Sequence, residues 1–373
     1  MKNKIIKYYL NNHEHRVTFC YDKEAPDITK DLTRLQSDKR MLLVIDDSIN
    51  KDVIKNFFKD LALSDFEVHV LKVKGSKKNK NQTLLFQIID KLIKYKLTKR
   101  SLILSCGGGV VGDVCALASS LYLRGMLYYH IPTTMTAVVD SCIGGKTGIN
   151  YKNIINSIGN YYHPQNVFIS KNILNLIPKR EFLAGFAEII KSGFLDNKKI
   201  LKILSNNKKK ILSRNFKILS QIIYLTLKTK IKFFKNDIYE KNKRLNLNFG
   251  HTFAHSIEMS LQSKSSDVIR HGEAVGIGML CEIYYSEGKN KKFIMLKNLL
   301  KKYGLPINLK KYLVIKNLNK MKNSIYKNIF LDKKRLNNFP RIIKIQKIGR
   351  PKVIEMRNNE RIFETIEKVI LSL

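Results

Sequence analysis

Acidic residues are scarce in this 373-residue chain: 30 Asp and Glu stand against 69 Lys and Arg, a formal net charge of +39. Cysteine is sparse too. The five present (Cys20, Cys106, Cys115, Cys142 and Cys281) fall into no paired spacing, which excludes a disulfide framework. Three of them lie in apolar or glycine-rich segments, where cysteine packs as a small hydrophobe. No apolar run reaches the ~18 residues that cross a bilayer. The N-terminal MKNKIIKYYLNNHEH is basic but lacks the apolar core and cleavage site of an export signal. The expected location is therefore a reducing cytoplasm, with no membrane partner. An Arg-rich tract is missing as well; lysine is spread along the chain among Asn and Ile, as on a solvated basic surface. Dedicated nucleic-acid binding is not expected, and a phosphorylated small-molecule substrate suits the charge. Apolar residues make up 44%, so the chain is not disordered, and its length allows two ordinary domains with real cores.

Residues 1–40 read as polar and irregular, with VTFCY as a possible short strand. MLLVIDD (41–47) is a continuous apolar run ending in two acids, the pattern of a buried parallel strand whose carboxyl end meets a binding edge. KDVIKNFFKDLAL has helical periodicity, FEVHVLKV (66–73) reads as a strand, TLLFQIIDKLIKYKL as an amphipathic helix and SLILSC (101–106) as a third strand. This alternation predicts a Rossmann-like parallel α/β sheet in an N-terminal domain, residues 1–170. Past residue 171 helical patterns dominate, predicting a mainly α-helical domain over 171–373. GGGVVGD (107–113) follows the third strand and opens an apolar helix. Gly107, Gly109 and Gly112 satisfy G-x-G-x-x-G, which lets backbone N–H groups approach a pyrophosphate. A tight glycine turn with no ligand fits the same residues. The acid expected about 20 positions later is missing, so Asp46 is the candidate for a ribose hydroxyl. Thr133 and Thr134 follow a strand that ends at Pro132, with hydroxyls available to a ligand. Gly144-Gly145-Lys146-Thr147 resembles the tail of a phosphate loop, without the upstream glycine of a Walker A motif.

Three of the eight histidines fall in NLNFGHTFAHSIEMSLQSKSSDVIRHGEAVGIGM: His251, His255 and His271. His251 and His255 share a helix face. A helix–loop–helix could return His271 beside them, and a catalytic zinc needs three protein ligands and one open position. On spacing alone, core or surface histidines fit equally well. H-E-x-x-H is absent, which disfavours a standard metalloprotease.

GGGVVGD, YLRG, IPTT, VDSCIGGKTGIN, AGFAEIIKSG, NLNFGHTFAHSIE and HGEAVGIGM occur in one order. Together they resemble the 3-dehydroquinate synthases of the sugar-phosphate cyclase superfamily, from about residue 41 to about 350. The resemblance implies a phosphate-eliminating carbon–oxygen lyase of the shikimate pathway. It would convert 3-deoxy-arabino-heptulosonate 7-phosphate to 3-dehydroquinate and phosphate. Transient oxidation by NAD, β-elimination, re-reduction and intramolecular aldol closure are the implied steps. It further implies one divalent metal, zinc or cobalt, held by Glu188, His251 and His271, and a homodimer. His255, Glu240, Lys191 and Lys146 are assigned to catalysis. Arg124 (lent by the neighbouring subunit), Asp140, Asn156, Lys230, Arg244, Asn248 and one of Lys333 and Lys334 are assigned to substrate. Asp46, Gly107, Gly108, Gly109, Asp113, Thr133, Thr134, Lys146, Ile173 and Leu176 are assigned to the cofactor. Without the family, Glu188 and Lys191 read as an exposed helical ion pair, and 227–251 as a charged helix and loop.

The cofactor side departs from the family pattern. Gly-Glu-x-x-Lys becomes GSKKN (75–79), so the acid is Ser76 and the lysine Asn79, with Lys77, Lys78 or Lys80 as replacements. A further family lysine is Ile155, and the hydroxyl of Phe-Leu-x-Thr is lost at Leu176. Weakened NAD binding is expected, by about tenfold for each lost contact of ~1 kcal/mol. Other readings are a related cyclase acting on a different sugar phosphate, or a metal-dependent polyol dehydrogenase.

Overall fold

The computed structural model describes residues 4–21, 33, 35, 37–49, 66–152, 154–261, 268–312, 318–331 and 339–372. The helix expected over 51–63 and the lysines at 333 and 334 lie outside them. The chain divides into two compact units, Met1–Pro178 and Lys179–Leu373.

Among the described residues the first unit has nine strands: β1 (Lys4–Leu10), β2 (His13–Cys20), β3 (Arg40–Asp46), β4 (Glu67–Val73), β5 (Leu102–Gly107), β6 (Leu127–Pro132), β7 (Lys146–Tyr151), β8 (Ile154–Tyr161) and β9 (Asn166–Ser170). Its helices are α1 (Gln82–Lys94), α2 (Gly109–Leu121) and α3 (Lys171–Leu176). Seven strands form one sheet in the order β1-β2-β9-β6-β5-β3-β4, parallel except for the β1–β2 hairpin. β3 alternates its side chains between two apolar layers. Leu42 and Val44 pack with Ile88 and Leu92 of α1 and Val111 and Val114 of α2. Met41, Leu43 and Ile45 face Leu104, Tyr129 and Phe168. Both faces are thus covered, as the continuous apolar run requires. Ile173 of α3 belongs to that second layer, so the segment after residue 170 stays with the sheet and the division falls after Pro178.

The N-terminal hairpin corrects the reading of residues 1–40 as irregular. Ile6, Tyr8 and Leu10 alternate inward along β1, and the two-residue turn Asn11-Asn12 takes φ of +46 and +66. Asparagine tolerates that left-handed conformation, and such turns match the strand twist. An Asn-Asn pair between alternating apolar residues was the available signal.

The second unit is helical: α4 (Lys179–Ala184), α5 (Phe186–Leu195), α6 (Lys198–Asn206), α7 (Lys208–Leu212), α8 (Phe216–Phe234), α9 (His251–Leu261), α10 (His271–Glu287), α11 (Lys291–Lys302), α12 (Leu318–Phe330) and α13 (Asn359–Thr365), with a hairpin of β10 (Arg341–Lys347) and β11 (Arg350–Glu355). Every residue of α5 is buried. Buried Glu282 on α10 accepts the Ile343 N–H at 2.8 Å and ties the hairpin to the bundle.

Within the sheet, His130 is buried, with Nδ1 2.7 Å from Ser105 Oγ, which in turn lies 2.9 Å from the Tyr128 hydroxyl. A Cβ on Gly112 would lie 2.9 Å from the His130 ring, so only glycine lets α2 settle there. Burial lowers the His130 pKa from 6.5 to about 4, against the raising effect of the bond to Ser105. The unfolded chain binds this proton near the ordinary histidine value, while the folded chain refuses it until about 4. Stability contributed by neutral His130 is thus present above that window and lost as pH falls through it, by on the order of 3 kcal/mol. The variant His130→Gln should be less stable at neutral pH and should lose stability less steeply on acidification. Denaturant midpoints at neutral and at mildly acidic pH check this.

Candidate metal and nucleotide sites

In the first unit, β3 has β4 on one side and β5 on the other. The chain therefore reverses direction across the sheet at β3/β5, the switch point where α/β sheets bind ligands at their carboxyl ends. Asp46 ends β3, and its Oδ1 accepts Ser48 N at 3.1 Å and Ser48 Oγ at 2.8 Å. Gly107 ends β5, and Gly108 caps α2 in extended backbone. Each glycine answers a close approach: a Cβ on Gly107 would lie 2.6 Å from Val111 Cβ, and one on Gly108 3.0 Å from Thr134 Cγ2. Thr133 N donates to Gly107 O at 3.0 Å, and Thr134 Oγ1 accepts Ala137 N at 3.2 Å. Asp46, the glycine turn and the two threonines thus stand at the carboxyl ends of adjacent strands, while Asp140 follows on the short π-helix Ala137–Ser141.

Lys146 is exposed at the start of β7 rather than on a helix, and Thr147 Oγ1 is spent on Asn160 O at 3.1 Å. The GGKT segment is therefore no phosphate loop in the Walker sense. Ile173 is buried in the core, and Leu176 is exposed. Lys80 is the lysine that turns inward. Its Nζ lies 2.5 Å from Asp113 Oδ2 and 2.5 Å from Asn156 Oδ1, with its side chain 13% exposed. The neighbouring Lys77 and Lys78 are exposed. Asn79 Nδ2 donates to Lys74 O, and Asn81 caps α1 through Leu84 N.

In the second unit, α5, α9 and α10 meet at close quarters. Gly250 has φ +85, and a Cβ there would lie 2.9 Å from Met279 N; a Cβ on Gly278 would lie 3.0 Å from Ala254 N. Gly272 packs directly on the backbone of Ala184. The result is a cluster that the sequence only allowed. Nε2 of His251 and Nε2 of His271 lie 3.8 and 3.7 Å from Glu188 Oε1. Among the described residues, Glu188, His251 and His271 form the group whose ligand atoms all fall within 4.8 Å of one another. For metal–ligand bonds near 2.0–2.1 Å, tetrahedral ligand atoms sit ~3.3 Å apart, so a small contraction would close the group on a cation. His251 Nδ1 lies 3.2 Å from Phe249 O. A carbonyl only accepts, so that nitrogen carries the proton and Nε2 keeps its lone pair.

Glu188 is 1% exposed, and among the described residues neither carboxylate oxygen meets a donor in hydrogen-bond geometry, although the Lys191 ammonium is ion-paired with Oε2. A buried carboxylate so placed fits a cation. The Glu188–Lys191 pair is thus buried, not the exposed pair that sequence alone favours. The ring of His255 lies 5.6 Å from that of His251 and 6.3 Å from that of His271, beside the cluster rather than in it.

The loop after α8 carries the next of the expected site residues. Asp237 accepts N–H groups of Lys241 and Asn242 at 2.8 Å and of Arg244 at 2.9 Å. Burial would raise its carboxyl pKa, but these bonds outweigh it and hold the value below the ordinary range. Glu240, at φ +58, receives Asn248 Nδ2 at 2.5 Å. Arg244 is 2% exposed, stacks over Phe234 and donates to Ile238 O at 2.7 Å. Lys191 and Lys230 are buried as well. Asp237, which organises this loop, and Glu258, which lies 3.1 Å from His271, are given no role by their sequence positions.

The chain combines a parallel α/β unit with a glycine turn at its switch point and a helical unit with a two-histidine, one-carboxylate cluster. The same fold occurs in 2-epi-5-epi-valiolone synthase from Streptomyces hygroscopicus, solved with NAD+ and Zn2+ bound. The TM-score is 0.82 at 20% identity, over 97% of this chain and 98% of that one. Two family profiles match in succession, 3-dehydroquinate synthase N-terminal over residues 70–184 and 3-dehydroquinate synthase C-terminal over 185–335. The 3-dehydroquinate synthase of Pelagibacter ubique is 36% identical over 326 residues, 86% of each chain, and that of Ruminiclostridium cellulolyticum 30% identical over 374 residues, 99% of each. This chain belongs to the 3-dehydroquinate synthase family.

Replacing Asp237 by Ala would strip three N–H groups of their acceptor. We expect a loss on the order of 2 kcal/mol, with faster amide exchange confined to 238–246 and reduced turnover. Asn at that position should recover part of the stability. Thermal unfolding and hydrogen exchange provide the check.

Proposed function

We propose that the chain eliminates phosphate from 3-deoxy-arabino-heptulosonate 7-phosphate and closes it to 3-dehydroquinate, with NAD and one zinc or cobalt ion as resident cofactors. The observation that carries this is the Glu188–His251–His271 cluster, with both Nε2 atoms converging on a buried carboxylate. When bound, the cation lowers the proton affinity of a substrate hydroxyl and the nicotinamide serves as transient hydride acceptor.

The chain's own residues do the rest. Asp46 holds the ribose, Gly107, Gly108 and Gly109 admit the pyrophosphate, and Asp113, Thr133 and Thr134 complete the nucleotide contacts. Ile173 and Leu176 contribute backbone there. Lys146, Lys191, Lys230 and Arg244 bind the phosphate and carboxylate, with Arg supplying the bidentate fork. Asp140, Asn156 and Asn248 bond substrate hydroxyls, and one of Lys333 and Lys334 joins them. His255 and Glu240 move protons, which suits an imidazole at neutral pH. Glu240 is oriented for that task by Asn248.

The working form is a cytoplasmic homodimer in which Arg124 serves the neighbouring subunit. Supporting this, Leu123 and Arg124 hold left-handed φ of +48 and +64, and Leu121, Leu123, Ile154, Ile155 and Ile158 are exposed. Apolar surface of that kind favours a second copy.

Incubating the purified protein with the heptulosonate phosphate, NAD and zinc should release phosphate and dehydroquinate in equal amounts, with no net NADH. Accumulating NADH would mark a dehydrogenase instead, and no phosphate release would refute the assignment. Glu188→Gln should lose both bound metal and activity. The cofactor side gives a separate expectation. Lys80 fills the place left by Asn79, so Lys80→Met should weaken NAD binding about tenfold, as for ~1.4 kcal/mol. Lys77→Met and Lys78→Met should leave it near the wild-type value, and calorimetric titration with NAD separates the three.

A further inference from the structure

Glu258 lies on α9, seven positions after His251, and its Oε2 sits 3.1 Å from Nδ1 of His271 on the adjacent helix. Its side chain is 12% exposed. The contact is made on the side of the ring opposite Nε2, the atom that faces Glu188. Glu258 therefore cannot share a cation with Glu188; the imidazole stands between them. A carboxylate can only accept here, so Nδ1 carries the proton and Nε2 presents its lone pair to the cluster. We propose that Glu258 is a positioning residue, which fixes the tautomer and aim of His271 and raises the electron density at Nε2. The proposal rests on the metal-site reading above.

The surroundings make this contact specific to His271. His251 has a different anchor, the carbonyl of Phe249 at 3.2 Å. The backbone that carries His271 is held by other groups. Glu273 accepts Arg270 N at 2.9 Å, Arg180 clamps Glu273 at 2.9 and 2.7 Å, and Arg270 is ion-paired with Glu181. The start of α10 thus stays in place without Glu258, and the contact at Nδ1 acts on the ring rather than on the helix. His271 needs such a partner more than His251 does, because its side chain is 31% exposed against 12%. Less packing means more freedom to turn about χ2, and a carboxylate on Nδ1 removes that freedom.

The test compares wild type, Glu258→Gln and Glu258→Ala, each stripped of metal and titrated with zinc against a chromophoric chelator. Gln keeps an acceptor for Nδ1–H but loses the charge; Ala loses both. Zinc affinity should fall ~10-fold in the Gln variant and ~100-fold in the Ala variant, while the unfolding temperature of the metal-free proteins stays at the wild-type value. The cobalt(II) form should show an altered d–d spectrum in both variants. Unchanged affinity and spectrum in Glu258→Ala would overturn the proposal. So would a fall in affinity matched by equal destabilisation of the metal-free protein, since that marks a packing role. If wild type itself took up no zinc, the metal-site reading would fall first, and the result would be distinct from either.

Discussion

Burying the carboxylate of Glu188 is the constraint on which the second unit depends. At 1% exposure, that charge forfeits hydration worth several kcal/mol. It can be retained only if cations and oriented dipoles replace the lost water. Lys191 supplies one positive charge from the same helix, and two imidazole nitrogens converge from α9 and α10. For three helices to bring these groups to one point, their backbones must nearly touch. That explains the glycines of HGEAVGIGM. Gly272 lies on Ala184 backbone and Gly278 on Gly250, where any side chain would push His271 out of register with His251. They are contact residues, not hinges.

Backbone strain falls on three of the expected substrate and catalytic residues. Arg124, Asn156 and Glu240 are non-glycine residues at φ of +64, +49 and +58. Such conformations cost on the order of 1–3 kcal/mol each and persist where the surroundings hold them. The holding groups are identifiable. Asp237 gathers three N–H groups on the loop that carries Glu240, and Asn248 fixes its carboxylate. Asn156 is held by Asn150 at its N–H and by Lys80 at its side chain. Positive φ also occurs at turns such as Asn11-Asn12 and at Lys96, so strain alone is not diagnostic. What distinguishes Asn156 is a side-chain bond to a residue 76 positions away.

Of the candidate metal cluster, spacing alone put His251 and His255 on one helix face, and the choice of His271 and Glu188 came from the family resemblance. Imidazoles and carboxylates are rare on apolar helices, and helical spacing fixes which of them share a face. The parallel sheet was legible because its strands are buried on both sides and read as unbroken apolar runs. Two kinds of feature were not. Glu188 and Lys191 stand three apart among apolar residues, yet their burial comes from helices distant in sequence that pack around α5. Lys80 was one of three candidate lysines in GSKKNKN. Asn81 as the cap of α1 and the side-chain bond of Asn79 to Lys74 turn only Lys80 inward, and both are matters of local backbone geometry. Glu258 was quoted within a motif but given no role, since nothing in its spacing tells which histidine it meets.

The net charge of +39 is the most conspicuous number in the composition and one of the least informative. Most of these cations are solvated lysines, and a solvated charge costs little and specifies little. Lys191, Lys230 and Arg244 are different, at 2, 8 and 2% exposure. Each has given up water. Glu273 is engaged with Arg180, and Glu282 with the Ile343 N–H, leaving Glu188 as the acid of the cluster. The arrangement gains most from a ligand that carries more than one negative charge, and a phosphate together with a carboxylate on one small molecule has that composition. On the function proposed above, selectivity for such a substrate would come from three desolvated cations, not from the basic surface that surrounds them.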